Sequence, residues 1–263
     1  MNGRVHDICN DLELEHADLD AVVARLTEDQ WSVPTPAAGW AVRDQVSHLW
    51  FFDVRALMAL TDPEEFERDK QVLLASGGTD ASVEPGRRMT GEELLGQWRI
   101  DRGRLLDAAR EVDPSARVPW YGPAMAARSF ITARLMETWA HGQDVVDALG
   151  ATREPTARLR HVAHIGVRAR PFSYAVNGMT LPEGDVRVSL RAPDGSLWEW
   201  GESTVDTVRG ESLDFCLVVT QRRNVADTSL VVEGDGAREW ISIAQAFAGP
   251  PGGGRAAGSF PRG

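Results

Sequence analysis

Cysteine is almost missing from this chain: 263 residues carry two. Cys9 and Cys216 lie far apart among apolar neighbours. They offer neither a disulfide framework nor a cysteine-based zinc motif, and they fit a reducing cytoplasm. Neither has the electropositive neighbours that activate a thiolate, and no serine sits in a nucleophile elbow, so the chain supplies no covalent nucleophile. No stretch approaches the roughly 18 consecutive apolar residues that a membrane span needs. The start, MNGRVHDICNDLELEH, lacks the apolar core of a signal peptide. Positive charge is also short, with 28 Lys and Arg against 39 Asp and Glu and a net charge of −11. That balance argues against a nucleic-acid or anionic-membrane surface. No internal repeat is visible, and the glycine spacing of the tail GPPGGGRAAGSFPRG does not match a dinucleotide fingerprint.

What is present is ordinary soluble composition, 43% hydrophobic, in a length that allows one large domain or two modest ones. Residues 4–26 carry Ile8, Leu12, Leu14, Leu19, Val22, Val23 and Leu26 at mostly helical spacing. The turn WSVPTPAAGW, with Pro34, Pro36 and Gly39, cannot continue a helix and precedes a second amphipathic run from Val42 to Leu60. After Asp62-Pro63 a charged segment leads to breaks at Gly77-Gly78 and Pro85-Gly86. Thr90 and Glu93 then have the spacing of a capping box, which opens a third helix to about Val112. The connection PSARVPWYGPAM, with Pro114, Pro119 and Pro123, launches a fourth helix from about Ala124 to Leu149, with Gly150 as its C-cap. Four long helices in residues 1–150 are the pattern of a bundle able to hold a metal on inward side chains. A leading helix, Pro155 to about Ala175, opens a second region, 151–248. Val186, Val188 and Leu190 alternate as a strand, Pro193-Asp194-Gly195 turns, and LWEW forms a second strand. The apolar run at 213–219 reads as a buried strand or a buried helix. Residues 227–233 read as a strand, 236–247 as a short helix, and 249–263 as a flexible Gly/Pro-rich tail.

The chemistry concentrates at Glu137 and His141. Four residues apart on the fourth helix, they share a face and present a carboxylate and an imidazole to one point. His48, inside the second helix, completes a 2-His-1-carboxylate set, and three protein ligands leave coordination positions open, as catalytic metal sites do. Such a pair also occurs by chance on solvated faces, but Ala133, Ala140 and Ala148 beside it suit a packed interior. His48 alone reads equally well as a satisfied core histidine. Asp44, one turn before His48, reads as an outer carboxylate that orients the imidazole or as a helix-start acid. Asp144 reads as an outer carboxylate or a general acid/base. Trp50, Phe51, Trp120, Tyr121 and Trp139 are candidates for an apolar substrate wall, with core packing as the plainer reading. His161 and His164 read as surface residues.

GWAVRDQVSHL, with Trp40 opening a helix and the histidine eight residues on, together with ETWAHGQDVVDALG, resembles the mycothiol-dependent maleylpyruvate isomerase group of the DinB-like superfamily. These are actinobacterial, thiol-dependent metalloproteins. The resemblance implies an α+β chain: a DinB-like four-helix bundle followed by a smaller α/β domain like sterol carrier proteins, in which 213–219 is helical. It implies a divalent metal, usually zinc, on His48, His141 and Glu137. It points to Arg222 or Arg223 in VVTQRR as an arginine implicated in activity, although the usual glycine-arginine pattern is absent there. TARLMETWAHGQDV and WISIAQAFAGPPGGGR look like a distinct branch described only as metal-binding, so the resemblance bears on the metal more than on the reaction.

The expected function is therefore metal-dependent activation of a low-molecular-weight thiol, mycothiol, for isomerisation or S-transfer on a small electrophile. In it His48, Glu137 and His141 are metal ligands, Asp144 moves protons, Arg222 pairs with a substrate carboxylate, and Trp50, Trp120, Tyr121 and Trp139 face the substrate. Two alternatives stand beside it: a thiol-independent metalloenzyme using activated water or Lewis-acid chemistry, and a non-enzymatic metal- or ligand-binding module. The expected partners are a small-molecule substrate and the thiol, with a homodimer also allowed.

Overall fold

The computed structural model describes residues 3–75, 81–113 and 115–260. The Gly77-Gly78 break and Pro114 lie outside them. The chain divides into two compact units, 1–153 and 154–263.

The first unit is helical. It contains α1 (Gly3–Val23), α2 (Val42–Thr61), α3 (Pro63–Ala75), the single turn α4 (Glu84–Arg87), α5 (Gly91–Glu111) and α6 (Ala127–Leu149). A short antiparallel ribbon of β1 (Arg117–Val118) and β2 (Met125–Ala126) leads into α6. The bundle is α1, α2, α5 and α6: α1 packs on α5 and α6, and α2 on α5 and α6. Its apolar stripes meet in a core of Leu19, Val23, Val42, Val46, Leu49, Leu94, Trp98 and Val145. The expected caps are in place. Thr90 and Glu93 form the reciprocal box, with Glu93 N donating to Thr90 Oγ1 at 3.2 Å and Thr90 N to Glu93 Oε2 at 2.8 Å. Gly150 ends α6 in the left-handed region at φ 59°, where a side chain would be strained.

The charged segment after Asp62 is a helix, α3. The Asp62 carboxylate accepts from Glu65 N at 3.0 Å, Pro63 occupies the first turn, and Glu64 and Glu65 meet the positive end of the helix dipole.

Charge also lies deep in the bundle. Asp53 on α2 is fully buried and accepts from Arg134 of α6 (Nη2 at 2.8 Å and Nε at 3.1 Å) and from Trp98 Nε1 of α5 at 2.9 Å. The imidazole of His16 on α1 lies 3.8 Å from the same carboxylate. One residue from each bundle helix therefore meets at Asp53.

The second unit begins with α7 (Leu159–Arg168) and α8 (Arg170–Val176) in place of one continuous helix. Pro171 lacks an amide hydrogen and its ring crowds the preceding turn, so the chain bends at Ala169. The sheet is ordered β4-β3-β5-β6, from β3 (Arg187–Arg191), β4 (Leu197–Trp200), β5 (Thr207–Glu211) and β6 (Val231–Glu233). β3 and β5 are parallel and the other pairs antiparallel. The ambiguous run at 213–219 is helical, within α9 (Ser212–Val219), and α10 (Asp235–Ile243) ends the regular structure. The tail is irregular but tied down: Asp227 accepts from Gly258 N at 2.7 Å, Asn224 Nδ2 donates to Arg255 O at 3.0 Å, and the Arg223 guanidinium lies 3.7 Å from the Phe260 ring centre.

No helix among the described residues is long and apolar enough to cross a membrane. The overall architecture is a helical unit followed by a sheet-containing one.

Candidate metal centre

α2 and α6 run antiparallel and bring His48, Glu137 and His141 together, with one ligand atom from each inside a 4.8 Å cluster. His141 Nε2 lies 3.4 Å from Glu137 Oε2, and the two imidazole centres are 4.5 Å apart. His141 is buried, whereas His48 and Glu137 are half-buried, so the cluster stays open on one side.

Neighbours fix both rings. His141 Nδ1 is 2.6 Å from Gln45 Oε1, an acceptor, so Nδ1 is the donor there and Nε2 is the ring nitrogen that faces Glu137. Gln45 is oriented in turn: its Nε2 donates to Thr35 Oγ1 at 2.9 Å, and that hydroxyl donates to Trp40 O at 2.9 Å. His48 Nδ1 pairs with Ser82 Oγ at 2.8 Å. Ser82 is itself buried and held by Ser47 Oγ, which donates to its carbonyl at 2.8 Å. Two imidazoles, each held through Nδ1, and a carboxylate form an N,N,O set of the kind that divalent metals bind.

Aromatic rings close the walls. Trp40 stacks on His141 at 6.0 Å and tilts against His48 at 5.1 Å, and Phe52 lies 4.7 Å from His48 on its other side. Phe52 leads on to Tyr121 at 5.6 Å and Trp120 at 6.2 Å, and Trp120 stacks on Phe66. Burial pushes the Tyr121 phenol up to about 12, so it remains a neutral donor near pH 7.

Other candidates lie elsewhere. Trp50 is two residues past His48, some 200° around the helix. It packs on the bundle core and donates from Nε1 to Asp101 Oδ2 at 2.9 Å. Trp139 stands in the same relation to Glu137 and His141; it is buried, with the Arg153 guanidinium 5.8 Å from its ring centre. Phe51 lies under the Arg55 guanidinium at 3.4 Å. Asp44 takes the helix-start role: Ala41 N donates to its Oδ2 at 2.9 Å, and Arg87 Nε to its Oδ1 at 2.8 Å. Ser82, not Asp44, meets the His48 imidazole. Asp144 is buried on α6 one turn past His141. Arg222 belongs to the second unit, where its Nη1 donates to Thr220 O at 2.7 Å in the turn after α9. Burial raises the Cys9 and Cys216 thiols, which keeps both inert at neutral pH.

Gln45, Thr35 and Ser82 were not singled out by the sequence reading. Gln45 stands one turn before His48 on a largely apolar helix, which is a usable signal; Ser82 and Thr35 arrive through loops and give none.

A family model described as the mycothiol maleylpyruvate isomerase N-terminal domain matches residues 12–146. An uncharacterized protein of Mycobacterium tuberculosis, found in strains CDC 1551 / Oshkosh and ATCC 25618 / H37Rv, is 46% identical over 248 residues, spanning 93% of this chain and 96% of the relative. Among solved structures, the mycothiol-dependent maleylpyruvate isomerase superposes with a TM-score of 0.58 at 15% identity, and a histidine-to-alanine mutant of it with 0.59 at 14%. Each alignment covers 83% of this chain and 89% of the other. The likeness to those structures is one of fold, and the match to the family model places the chain within a family: this protein belongs to the mycothiol maleylpyruvate isomerase N-terminal domain family.

Proposed function

We propose that the protein is a divalent-metal-dependent enzyme of the isomerase type, with zinc as its resident metal and mycothiol as co-substrate for a small electrophile such as an unsaturated acid. The observation that carries this reading is the convergence of His48, Glu137 and His141, with each imidazole held through Nδ1 by a neighbouring side chain. Two nitrogens and a carboxylate oxygen suit zinc, and three ligands leave room for an incoming sulfur. A metal held there lowers the pKa of a coordinating thiol and so makes thiolate available at neutral pH.

The rest falls to the chain's own residues. Gln45 and Ser82 hold the two imidazoles in place through their Nδ1 atoms. Trp40 and Phe52 cover them and limit water, and Phe52, Trp120 and Tyr121 offer an apolar wall for the carbon skeleton. Asp144 is assigned to proton movement. The thiol sulfur forms a C–S bond at the far carbon of a conjugated double bond while the π electrons shift to the carbonyl oxygen. Rotation about the resulting single bond follows, and return of the electrons expels the sulfur. The thiol is regenerated in isomerisation; protonation at carbon instead leaves a thioether, which is S-transfer.

The test is elemental analysis of the purified protein, followed by turnover of maleylpyruvate and related unsaturated acids with and without mycothiol. A single bound metal per chain and thiol-dependent turnover are expected. Turnover indifferent to thiol favours activated water or Lewis-acid chemistry, and bound metal without any turnover favours a binding module. Gln45→Leu frees the His141 ring and should weaken zinc binding about 10–100-fold, read by competition with a chromophoric chelator. Unchanged affinity removes Gln45 from the site.

A further inference from the structure

We infer that Asp53 and Arg134 are positioning residues for the metal centre, setting the register of α6 against α2. The inference rests on the metal reading above and concerns groups outside the ligand cluster. Along the antiparallel pair α2–α6, contacts advance on α2 as they retreat on α6: Gln45 meets His141 at one level, and Asp53 meets Arg134 at another. At a rise of about 1.5 Å per residue these two rungs are roughly 10–12 Å apart. His48 and Glu137 lie between them in sequence on their respective helices. Arg134, Glu137 and His141 follow one another at i, i+3 and i+7, so they share one face of α6.

The lower rung is built for register. Arg134 engages Asp53 Oδ1 through both Nε and Nη2, and its Nη2 also reaches Leu49 O at 3.5 Å, so it grips α2 at two successive turns. The other carboxylate oxygen is occupied by Trp98 Nε1 from α5. Apolar contacts in a bundle tolerate sliding and rotation, whereas a buried forked ion pair has one geometry, and displacing it strands a charge without a partner. Rotation of α6 would move Glu137 and His141 away from His48 together. The aliphatic packing needs no charge at this level; the ligand triangle needs a fixed register.

The test uses the full-length protein with Co²⁺ as probe, reading its d–d absorption and its dissociation constant. The variants are Asp53→Asn/Arg134→Gln, which removes both charges while keeping an acceptor for Trp98, and Arg134→Lys, which keeps the charge and loses the fork. Melting temperature and far-ultraviolet circular dichroism show which variants are folded. The expected result is a folded variant whose Co²⁺ affinity falls about 10–100-fold with an altered d–d spectrum. Folded variants with wild-type affinity and spectrum overturn the positioning role alone. If the double variant does not fold, Arg134→Lys decides by the same two readouts. A wild-type protein that gives no Co²⁺ spectrum overturns the metal reading itself, and the positioning role with it.

Discussion

Glu137→Gln should strip the protein of its metal while leaving the fold intact. The substitution keeps the size of the side chain and removes the negative charge. Among the three converging groups only the carboxylate can carry negative charge. A divalent cation would then face three neutral donors, one of them a poor amide ligand. The loss should exceed the about 10–100-fold typical of removing an outer hydrogen bond. Stability without metal should barely change, because Glu137 is half-buried and glutamine keeps its size and a polar end. Isothermal titration with zinc and thermal melts in chelator check both halves. A Glu137→Gln protein that retains full metal occupancy removes Glu137 from the ligand set.

That site was partly legible in the sequence, and the reason is geometric. Glu137 and His141 are four residues apart on one helix, so their shared face follows from helical period alone. That His48 is the third partner depends on how α2 packs on α6, which no local pattern encodes. The same rule separates the aromatic residues. Trp50 and Trp139 are near the ligands in sequence but about 200° away around their helices, whereas Phe52, a full turn past His48, does line the cluster. Trp40 lies outside the helix, yet a tight loop carries it there: Thr35 N donates to Trp40 O at 2.7 Å, and Gly39 adopts φ 78° to close the turn.

Away from the site, the capping box at Thr90 and the glycine cap at Gly150 gave sharp boundaries because each is a local motif. α3 was also signalled, by Asp62, Pro63 and two glutamates, but its charge masked the pattern. β5 was not signalled. Thr207–Glu211 is short, polar and interrupted by Gly210, and it is a strand because β3 and β6 flank it. The hub at Asp53 shows in sequence only as a charge inside LWFFDVRAL, and its four-helix convergence is a property of tertiary packing.

That hub makes the protein sensitive to acid through His16. Burial holds the His16 imidazole down at about 4 against an ordinary value of 6.5, with the Asp53 carboxylate pulling it up and the Arg102 and Arg134 guanidiniums pushing it down. Native His16 therefore stays neutral until pH approaches 4, while in the unfolded chain it takes a proton near 6.5. Between those values the unfolded state holds more protons, so stability rises with pH. The His16 contribution is fully present above about 6.5 and is lost as pH falls through that window to about 4. A shift of this size corresponds to on the order of 3 kcal/mol at 1.36 kcal/mol per unit. His16→Phe keeps an aromatic ring against Trp98, which the imidazole now meets edge-on at 5.6 Å, and removes the titrating group. Urea unfolding of the metal-free wild type and His16→Phe at pH 7 and pH 4 isolates the effect, because carboxylates that titrate in the same range are common to both proteins. The wild type should lose on the order of 3 kcal/mol more than the variant between the two pH values. Equal losses would mean that His16 opens to water and protonates without unfolding, and that the bundle around Asp53 accommodates a further charge.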